Sequence, residues 1–182
     1  MRTTAAGWFL VLSVTADPRS ASVQDFAGEY EVKAAYLFNF AAHVEWPAEA
    51  FADRKSPIVL CVFGKDPCGE TLEQALKGKT AQDRSLAVAR VKSVEELKSC
   101  HLLFVPDSEK QDFPKILEAL KEKSVLVVGE SEGLALKGAV FNFYMDNKRV
   151  RLEVNPEAAA RSRLKIGAKL LKIARIVGES GK

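Results

Sequence analysis

The sequence predicts an α/β fold, with an open, mostly parallel sheet of about six strands, helices on both faces and an antiparallel hairpin at one edge. Two features predict it. Four continuous apolar runs alternate with helical patterns, and strands that are buried on both faces of a parallel sheet have this appearance. Two segments of alternating polarity then follow, as is typical of a hairpin with one exposed face. The order of these elements is Rossmann-like.

The four apolar runs are the expected parallel strands. They lie at residues 58–63, 86–91, 101–105 and 125–128. The helical patterns that connect them lie at residues 72–76, 93–99 and 112–122. Ser93 is followed three residues later by Glu96, which is the pattern of a capping box, and Asp112 is the expected N-cap of the third pattern. Each of these helices connects two parallel strands through a right-handed crossover, which places the helix against a face of the sheet. We therefore expect the helices to cover the sheet.

The hairpin and the last helix follow this parallel unit. The two alternating segments lie at residues 139–145 and 150–154, on either side of a turn at residues 146–148. Asn155 is a favourable N-cap, and Pro156 suits the first helical position because its missing N–H would have no partner there. The sequence therefore predicts one long helix from Asn155 to Val177.

The opening helix is the most apolar helical segment. The stretch VKAAYLFNFAAHVEWP, residues 32–47, is apolar nearly all the way round. The predicted helix covers residues 29–45 and ends before Trp46-Pro47, since a residue before proline is pushed out of the helical region. A polar linker at residues 17–28 precedes it. A helix that is apolar all round is buried, so we expect it between the sheet and the last helix.

The last helix has two apolar stripes when its residues are placed at 100° intervals. One stripe contains Ile166, Leu170, Ile173 and Val177, and the opposite stripe contains Leu164, Ala168 and Leu171. The flank between them carries Lys165, Lys169 and Lys172. A helix packed on one side of a sheet needs a single stripe. The second stripe implies a second contact, with another element of the same core, a second subunit or a different protein.

The length and charge of the chain bound its organisation. It has 182 residues and a net charge of +3, which predicts one domain, over residues 29–178, and gives no indication of nucleic-acid binding. Residues 1–22 have the pattern of a signal peptide and linker, with an apolar run and a small-residue cleavage position after Ala16 or near Ser22. That run is too short for a membrane span, which takes about 20 residues. We therefore expect an exported protein.

The loop GKDPCGET, residues 64–71, follows a buried strand and opens a helix, which is where a phosphate-binding loop would lie. A phosphate loop has a lysine that reaches the β and γ phosphates, whereas this chain has Glu70 at that position. The G-x-G-x-x-G fingerprint of dinucleotide-binding domains does not occur either. The sequence therefore predicts neither kind of nucleotide site.

The remaining reactive side chains form no catalytic or metal-binding pattern. His43, His101 and the cysteines at 61, 68 and 100 do not have zinc-ligand spacing. No carboxylate pair lies in an apolar setting, and no G-x-S-x-G occurs. In an oxidising compartment three cysteines allow one disulfide and leave one thiol. Cys68 lies near a helix N-terminus, where the pKa of a thiol can be lowered. We expect no catalytic, metal or cofactor site.

Five segments of the chain, in order, resemble the YfiR family. They are residues 32–47 (VKAAYLFNFAAHVEWP), 58–69 (IVLCVFGKDPCG), 99–105 (SCHLLFV), 125–131 (VLVVGES) and 150–177 (VRLEVNPEAAARSRLKIGAKLLKIARIV). The resemblance extends over residues 29–178. It implies an α/β sheet flanked by helices, in agreement with the prediction from the residues, and a homodimer.

The resemblance also implies a function. It implies a periplasmic protein of a Gram-negative cell. The best understood members of the family bind the periplasmic domain of an inner-membrane diguanylate cyclase and hold it inactive, which lowers cyclic di-GMP and biofilm formation. Partner contact in the family involves apolar residues of the C-terminal helix. The matching residues here are Leu164, Ile166, Leu170, Leu171 and Ile173.

The cysteines compare with the family in three ways. The resemblance implies a disulfide between Cys61 and Cys100. Cys68 departs from the family pattern, which typically has an aromatic residue at this position. Some members have a further cysteine pair around the hairpin, and this chain has none there.

We therefore expect a non-enzymatic periplasmic repressor. The alternative is a periplasmic small-molecule-binding module. Its ligand would lie in the crevice at the carboxyl ends of the parallel strands, near residues 64–69, 106–108 and 129–132.

Overall fold

The computed structural model describes residues 18–178, with side chains from residue 28 onward. The first cleavage position and the apolar run of the expected signal peptide lie outside the described residues. The helices of the described part are α1 (Pro18–His43), α2 (Glu70–Leu76), α3 (Phe113–Ala119), α4 (Pro156–Arg161) and α5 (Ala168–Ile173). Short 3-10 helices lie at Ala48–Ala50, Val94–Ser99 and Asp107–Glu109.

The described residues also contain ten strands. The first five are β1 (Val44–Glu45), β2 (Ile58–Phe63), β3 (Thr80–Ala81), β4 (Arg84–Val91) and β5 (Leu102–Val105). The others are β6 (Leu126–Gly129), β7 (Phe141–Asp146), β8 (Arg149–Val154), β9 (Lys165–Ile166) and β10 (Arg175–Ile176). All four strands predicted from apolar runs are present, and so is the hairpin of β7 and β8.

Eight strands form one mixed sheet in the order β10-β8-β7-β6-β5-β2-β4-β3. The five strands β4, β2, β5, β6 and β7 are parallel neighbours, whereas β7 pairs with β8 and β4 pairs with β3 in antiparallel fashion. This confirms the predicted α/β sheet. It exceeds the predicted size because β3 and β10 have two residues each, too few for a periodicity to indicate.

The sheet has an apolar core on each face. On one face α1 and α2 cover the larger core, where the ring of Phe40 stacks on Phe141 with centroids 4.2 Å apart. On the other face α3 and the 3-10 helix Val94–Ser99 cover the smaller core, which includes Phe113 and Leu103. The burial of β2, β5 and β6 on both faces explains why these strands are continuous apolar runs.

The opening helix is longer than predicted at its start and shorter at its end. It begins at Pro18, so most of the segment predicted as a polar linker is helical, and it ends at His43. Val44–Glu45 then pairs as β1 with β9, which removes the last two predicted helical residues. The helix is buried against the sheet through residues such as Leu37, but Val32 on its outer side is 44 % exposed. It is therefore covered on most of its circumference rather than all of it.

The predicted long C-terminal helix is wrong. Asn155 accepts a hydrogen bond from the backbone N–H of Ala158 at 3.0 Å, as expected of an N-cap, but α4 ends at Arg161. Arg163 has φ of 56°, and the chain then extends as β9, turns at Gly167, forms α5 and extends again as β10. A Cβ at Gly167 would lie 2.7 Å from the carbonyl oxygen of His43, so this close contact requires glycine. Pairing with β1 therefore prevails over the local helical pattern.

Two of the predicted helix caps are absent. Ser93 makes no side-chain cap; its hydroxyl donates to Glu96 Oε1 at 3.3 Å, and the segment that follows is a 3-10 helix. Asp112 also makes no side-chain cap and forms an ion pair with Lys115 instead. The third helix is shorter than predicted, since it ends at Ala119 and not at Glu122.

Candidate functional site

The predicted partner-binding residues lie on the interrupted C-terminal segment and not on one helix face. Leu164 and Leu170 are 5 % and 2 % exposed and belong to the larger core. Ile166 and Leu171 are half-buried and pack against the same core. Ile173, at the end of α5, is 58 % exposed. Of the five, Ile173 is therefore the side chain that the fold leaves most available.

Ile176 is an exposed residue of the same segment that the sequence did not single out. It is 62 % exposed, and Ile173 and Ile176 are the two most exposed of the large apolar side chains in the described part of the chain. Ile176 lies in β10, where it pairs with Val154 of β8 at the edge of the large sheet. On a continuous helix it would lie on neither apolar stripe, so only the strand assignment reveals it.

Exposed lysines accompany these two isoleucines. Lys165, Lys169 and Lys172 are exposed, and no salt bridge involves them within the described residues. We call the exposed side chains of Lys165, Lys169, Lys172, Ile173 and Ile176 the C-terminal surface. Apolar residues among unpaired cations suit a partner that offers apolar side chains and carboxylates.

The fold holds the backbone of the C-terminal surface at both ends. The N–H of Gly167 donates to the carbonyl oxygen of His43 at 2.8 Å, which joins this segment to the end of α1. The N–H of Val177 donates to Val154 at 2.8 Å, which joins it to β8. Arg175 also forms an ion pair with Glu153, and its guanidinium lies 4.7 Å from the Tyr144 ring centroid. These contacts hold the backbone of the segment at both of its ends.

The disulfide implied by the resemblance is present. Cys61 in β2 and Cys100 before β5 are bonded, with their Cα atoms 5.8 Å apart. Their side chains lie in the smaller core, and the two residues are 0 % and 5 % exposed. The bond links β2 to the segment just before β5, and a crosslink of this kind stabilises the fold.

His101 beside the disulfide has a structural role. Its Nδ1 accepts from the N–H of Val59 at 3.1 Å, its Nε2 is 3.1 Å from the carbonyl oxygen of Ala50, and its ring stacks on Phe51 at 4.5 Å. Burial lowers the pKa of the imidazole. A neutral ring with Nε2–H fits both hydrogen bonds, so His101 connects the 3-10 helix Ala48–Ala50 to the sheet.

Side chains of the protein itself occupy the crevice that the small-molecule alternative requires. Lys33 of α1 is 4 % exposed and forms ion pairs with Glu29 and, at 2.6 Å, with Glu130 after β6. Glu130 also accepts from the Tyr30 hydroxyl at 3.1 Å and from the N–H of Asp107 at 2.9 Å. This network closes the carboxyl ends of β5 and β6, where a ligand of a parallel sheet would bind.

The loop at residues 64–69 is likewise engaged internally. Gly64 has φ of 65°, and the carboxyl group of Glu109 lies over it so closely that a Cβ would be 2.3 Å from Cδ. The Glu109 carboxylate accepts from the N–H of Lys65 at 3.2 Å, a group that a phosphate would need. Cys68 is buried, and burial raises the pKa of its thiol to about 12, although a position near a helix N-terminus can lower it. It is therefore a poor nucleophile.

The described residues contain no group of three or more His, Cys, Asp and Glu side chains that could hold a metal ion. Within the same part of the chain, no helix has the length and apolar character needed to cross a membrane.

The mixed sheet with helices on both faces defines an α/β domain whose last segment forms an exposed apolar and basic surface. Residues 30–175 match the profile described as DUF4154, YfiR/HmsC-like, and the chain belongs to this family. The family is regulatory and periplasmic, and membership supports a regulatory role in the periplasm. A search of the curated proteins finds no match.

Two solved structures resemble part of the chain. A conserved domain protein from Vibrio cholerae is 11 % identical, with a TM-score of 0.50 over 67 % of this chain and 55 % of that one. An ABC domain in complex with L-Trp from Streptococcus pneumoniae is 10 % identical, with a TM-score of 0.49 over 65 % of this chain and 55 % of that one. The chain spans about half the length of these structures. At this identity the likeness to the Vibrio protein concerns the fold alone.

Proposed function

We propose that this protein is a periplasmic, non-enzymatic repressor that binds the periplasmic domain of an inner-membrane diguanylate cyclase and so lowers cyclic di-GMP and biofilm formation. The observation that carries the proposal is the exposure of Ile173 and Ile176 on a segment that also has three exposed lysines, which form no salt bridge within the described residues. Membership of the YfiR/HmsC-like family supports the class of partner.

Repression requires a difference in affinity between two states of the partner. A ligand that binds two conformations equally shifts neither, and each tenfold preference corresponds to about 1.4 kcal/mol. The C-terminal surface would supply this preference if the inactive arrangement of the cyclase presents an apolar site with carboxylates and the active one does not. A preformed surface loses little conformational freedom on binding, which favours affinity.

Two further proposals concern compartment and assembly. The buried bond between Cys61 and Cys100 suits an oxidising compartment, which supports export to the periplasm. Cell fractionation of the full chain would test this, and retention in the cytoplasm would contradict it.

We also propose that the protein forms a homodimer, as the family resemblance implies.

Binding to the purified periplasmic domain of the cyclase tests the proposal, with cyclic di-GMP measured in cells as the second readout. We expect Ile173→Asp with Ile176→Asp to weaken binding and release the cyclase. Both side chains are exposed, so the melting temperature should change little. Met145→Asp is a matched control, since Met145 is 48 % exposed at the far end of the hairpin. Repression by the double variant at the wild-type level would overturn the proposed surface.

A further inference from the structure

The outer edge of β4 is an open sheet edge along most of its length. β4 pairs with β2 from Leu86 to Val91, and on its other side the strands of the described residues cover only its first two residues, through β3. The open part contains no proline, and its one charged side chain, Arg90, forms ion pairs with Asp66 and Glu73. Prolines and free charges are what usually keep an extended chain from adding to such an edge.

The outward backbone groups of this edge belong to alternate residues. The carbonyl oxygen of Val91 accepts from the N–H of Gly64 at 2.8 Å, so the backbone of Val91 faces β2. Backbone groups point alternately to the two sides of a strand. The N–H and C=O groups of Val88 and Arg90 therefore point outward, and so does the carbonyl group of Leu86.

The start of β4 is closed to an added strand. Thr80 of β3 already lies opposite Ser85, in the position that an added strand would reach after passing Leu86. The chain before Thr80 turns away from β4, because the N–H of Lys79 donates to the carbonyl oxygen of Leu76 at 3.0 Å. A strand that adds to this edge must therefore end opposite Leu86, and a chain terminus meets this condition without a turn.

A groove of about 820 Å³ follows the open edge, between β4 and α2. Its apolar part is formed by Leu76 of α2 with Leu86 and Val88 of β4. Because side chains alternate between the two faces of a sheet, a strand added to β4 would direct every second side chain into this groove. The groove therefore suits an extended chain with apolar residues at alternate positions.

The two ends of the groove differ in charge. Lys77 and Lys79 lie where α2 leads into β3, which is beside the start of β4. Glu70 and Glu73 lie at the other end, where Glu73 pairs with Arg90 near the end of β4. Both lysines and Glu70 are exposed, and none of the three is in a salt bridge within the part of the chain that the structure describes. A terminus at the start of β4 would therefore meet two cations.

We propose that this edge binds the C-terminus of an extended partner chain, which adds to β4 as an antiparallel strand. An antiparallel strand runs toward the start of β4, so its terminal carboxylate lies beside Lys77 and Lys79. A parallel strand would place an N-terminal ammonium group there, which the two cations disfavour. In strand addition of this kind the backbone bonds give affinity, and pockets for alternate side chains give specificity.

The register follows from the position at which the added strand ends. The last residue of the partner lies opposite Leu86 and donates its N–H to that carbonyl oxygen, and the third-last residue exchanges two hydrogen bonds with Val88. Directly opposed residues share a face of the sheet, so these two side chains enter the groove and should be apolar. The fifth-last residue lies opposite Arg90, toward Glu70, and suits a basic side chain.

This site is separate from the C-terminal surface, and it depends on neither the proposed cyclase nor the proposed homodimer. Fluorescence anisotropy with the full mature chain tests it, and the probe is the N-terminally labelled pentapeptide Lys-Thr-Val-Ser-Leu. We expect saturable binding that weakens at least about tenfold when the carboxylate is amidated or the valine is replaced by aspartate. Equal binding of the free acid and the amide would overturn the assignment to a C-terminus, and no binding at millimolar peptide would overturn the site.

Charge reversal at Lys77 tests the contact with the carboxylate. Lys77→Glu should weaken binding of the free acid about tenfold and abolish its advantage over the amide. Lys77 is preferred to Lys79, whose Nζ also lies 4.5 Å from the ring centroid of Phe38. Lys137→Glu is the matched control, since it reverses an exposed lysine outside the groove and should change neither affinity. Equal losses in the two variants would overturn the contact, because net charge alone would then explain them.

Methylation of the peptide backbone tests the strand pairing. The N–H of the third-last residue bonds to Val88, so its N-methylation should weaken binding at least about tenfold. The N–H of the second-last residue points away from β4, so its N-methylation should be tolerated. The same loss from both methylated peptides would overturn the pairing.

Hydrogen exchange locates the pairing on the protein. We expect the amides of Val88 and Arg90 to gain protection when the peptide is added, whereas those of Ala87 and Ala89, which face β2, should not. Protection of Val88 that rises with protein concentration and needs no peptide would assign the edge to a second copy and overturn the peptide site.

Discussion

The backbone N–H of Gly167 lies 2.8 Å from the carbonyl oxygen of His43 and donates to it. This contact joins residues that are distant in sequence, at the end of α1 and the start of α5. It follows the short pairing of β1 with β9, and together they interrupt a segment that would otherwise read as one helix. The exposure of the side chains that follow, Ile173 among them, depends on this interruption.

Gly167→Val should destabilise the protein by about 1–3 kcal/mol, because a Cβ would lie 2.7 Å from a carbonyl oxygen and the backbone must shift. Urea unfolding monitored by circular dichroism measures this change. Gly178→Ala is the control, since a Cβ there meets nothing within 4 Å. Equal midpoints for the valine variant and the wild type would show that the close contact is not formed.

Loss of the disulfide should cost more than loss of the free thiol. The bond between Cys61 and Cys100 closes a loop with a sequence separation of 39, for which the chain-entropy model gives about 4 kcal/mol. Cys61→Ala with Cys100→Ala should therefore lower the free energy of unfolding by that order, as measured in guanidinium. Cys68→Ala, which removes a buried thiol without a crosslink, should have a smaller effect. The reverse ranking would contradict this account.

Lys33→Met should destabilise the protein by about 3–5 kcal/mol, because it leaves the carboxylate of Glu130 buried without its cation. The two side chains are each 5 % exposed in their ion pair. Adding Glu130→Gln removes the uncompensated charge and should recover much of the loss. A double-mutant cycle by thermal unfolding measures the coupling, and strictly additive effects of the two substitutions would show that the pair is not coupled.

The free energy of unfolding should fall as the pH is lowered, in part because the imidazole of His101 becomes protonated. Burial lowers the pKa of this imidazole in the folded state, so the unfolded state binds the proton more tightly. The contribution is therefore complete above the unfolded pKa of about 6.5 and is lost as the pH falls from there toward the folded pKa. His101→Gln should reduce this loss between about pH 7 and pH 5 in urea titrations. If the free energy of unfolding of His101→Gln depends on pH as steeply as that of the wild type, His101 does not cause the loss of stability.

Much of the fold follows from local patterns. The apolar runs that became β2, β5 and β6 are recognisable because a strand buried on both faces of a parallel sheet has few polar positions, whereas β4 contains Arg90 and is mostly half-buried. The alternation of the hairpin and the N-cap at Asn155 are local signals as well. The pairing of Cys61 with Cys100, by contrast, was implied by the family resemblance and not by spacing.

The sequence by itself therefore determined the α/β class, the strand runs and the family, since each depends on residues that are neighbours along the chain. The tertiary structure decided what becomes of the last segment. Strands of two residues, such as β9 and β10, carry no periodicity of their own and exist only where a distant strand offers a partner. For this reason the structure, and not the helical pattern, buries Leu164 and Leu170 and exposes Ile176.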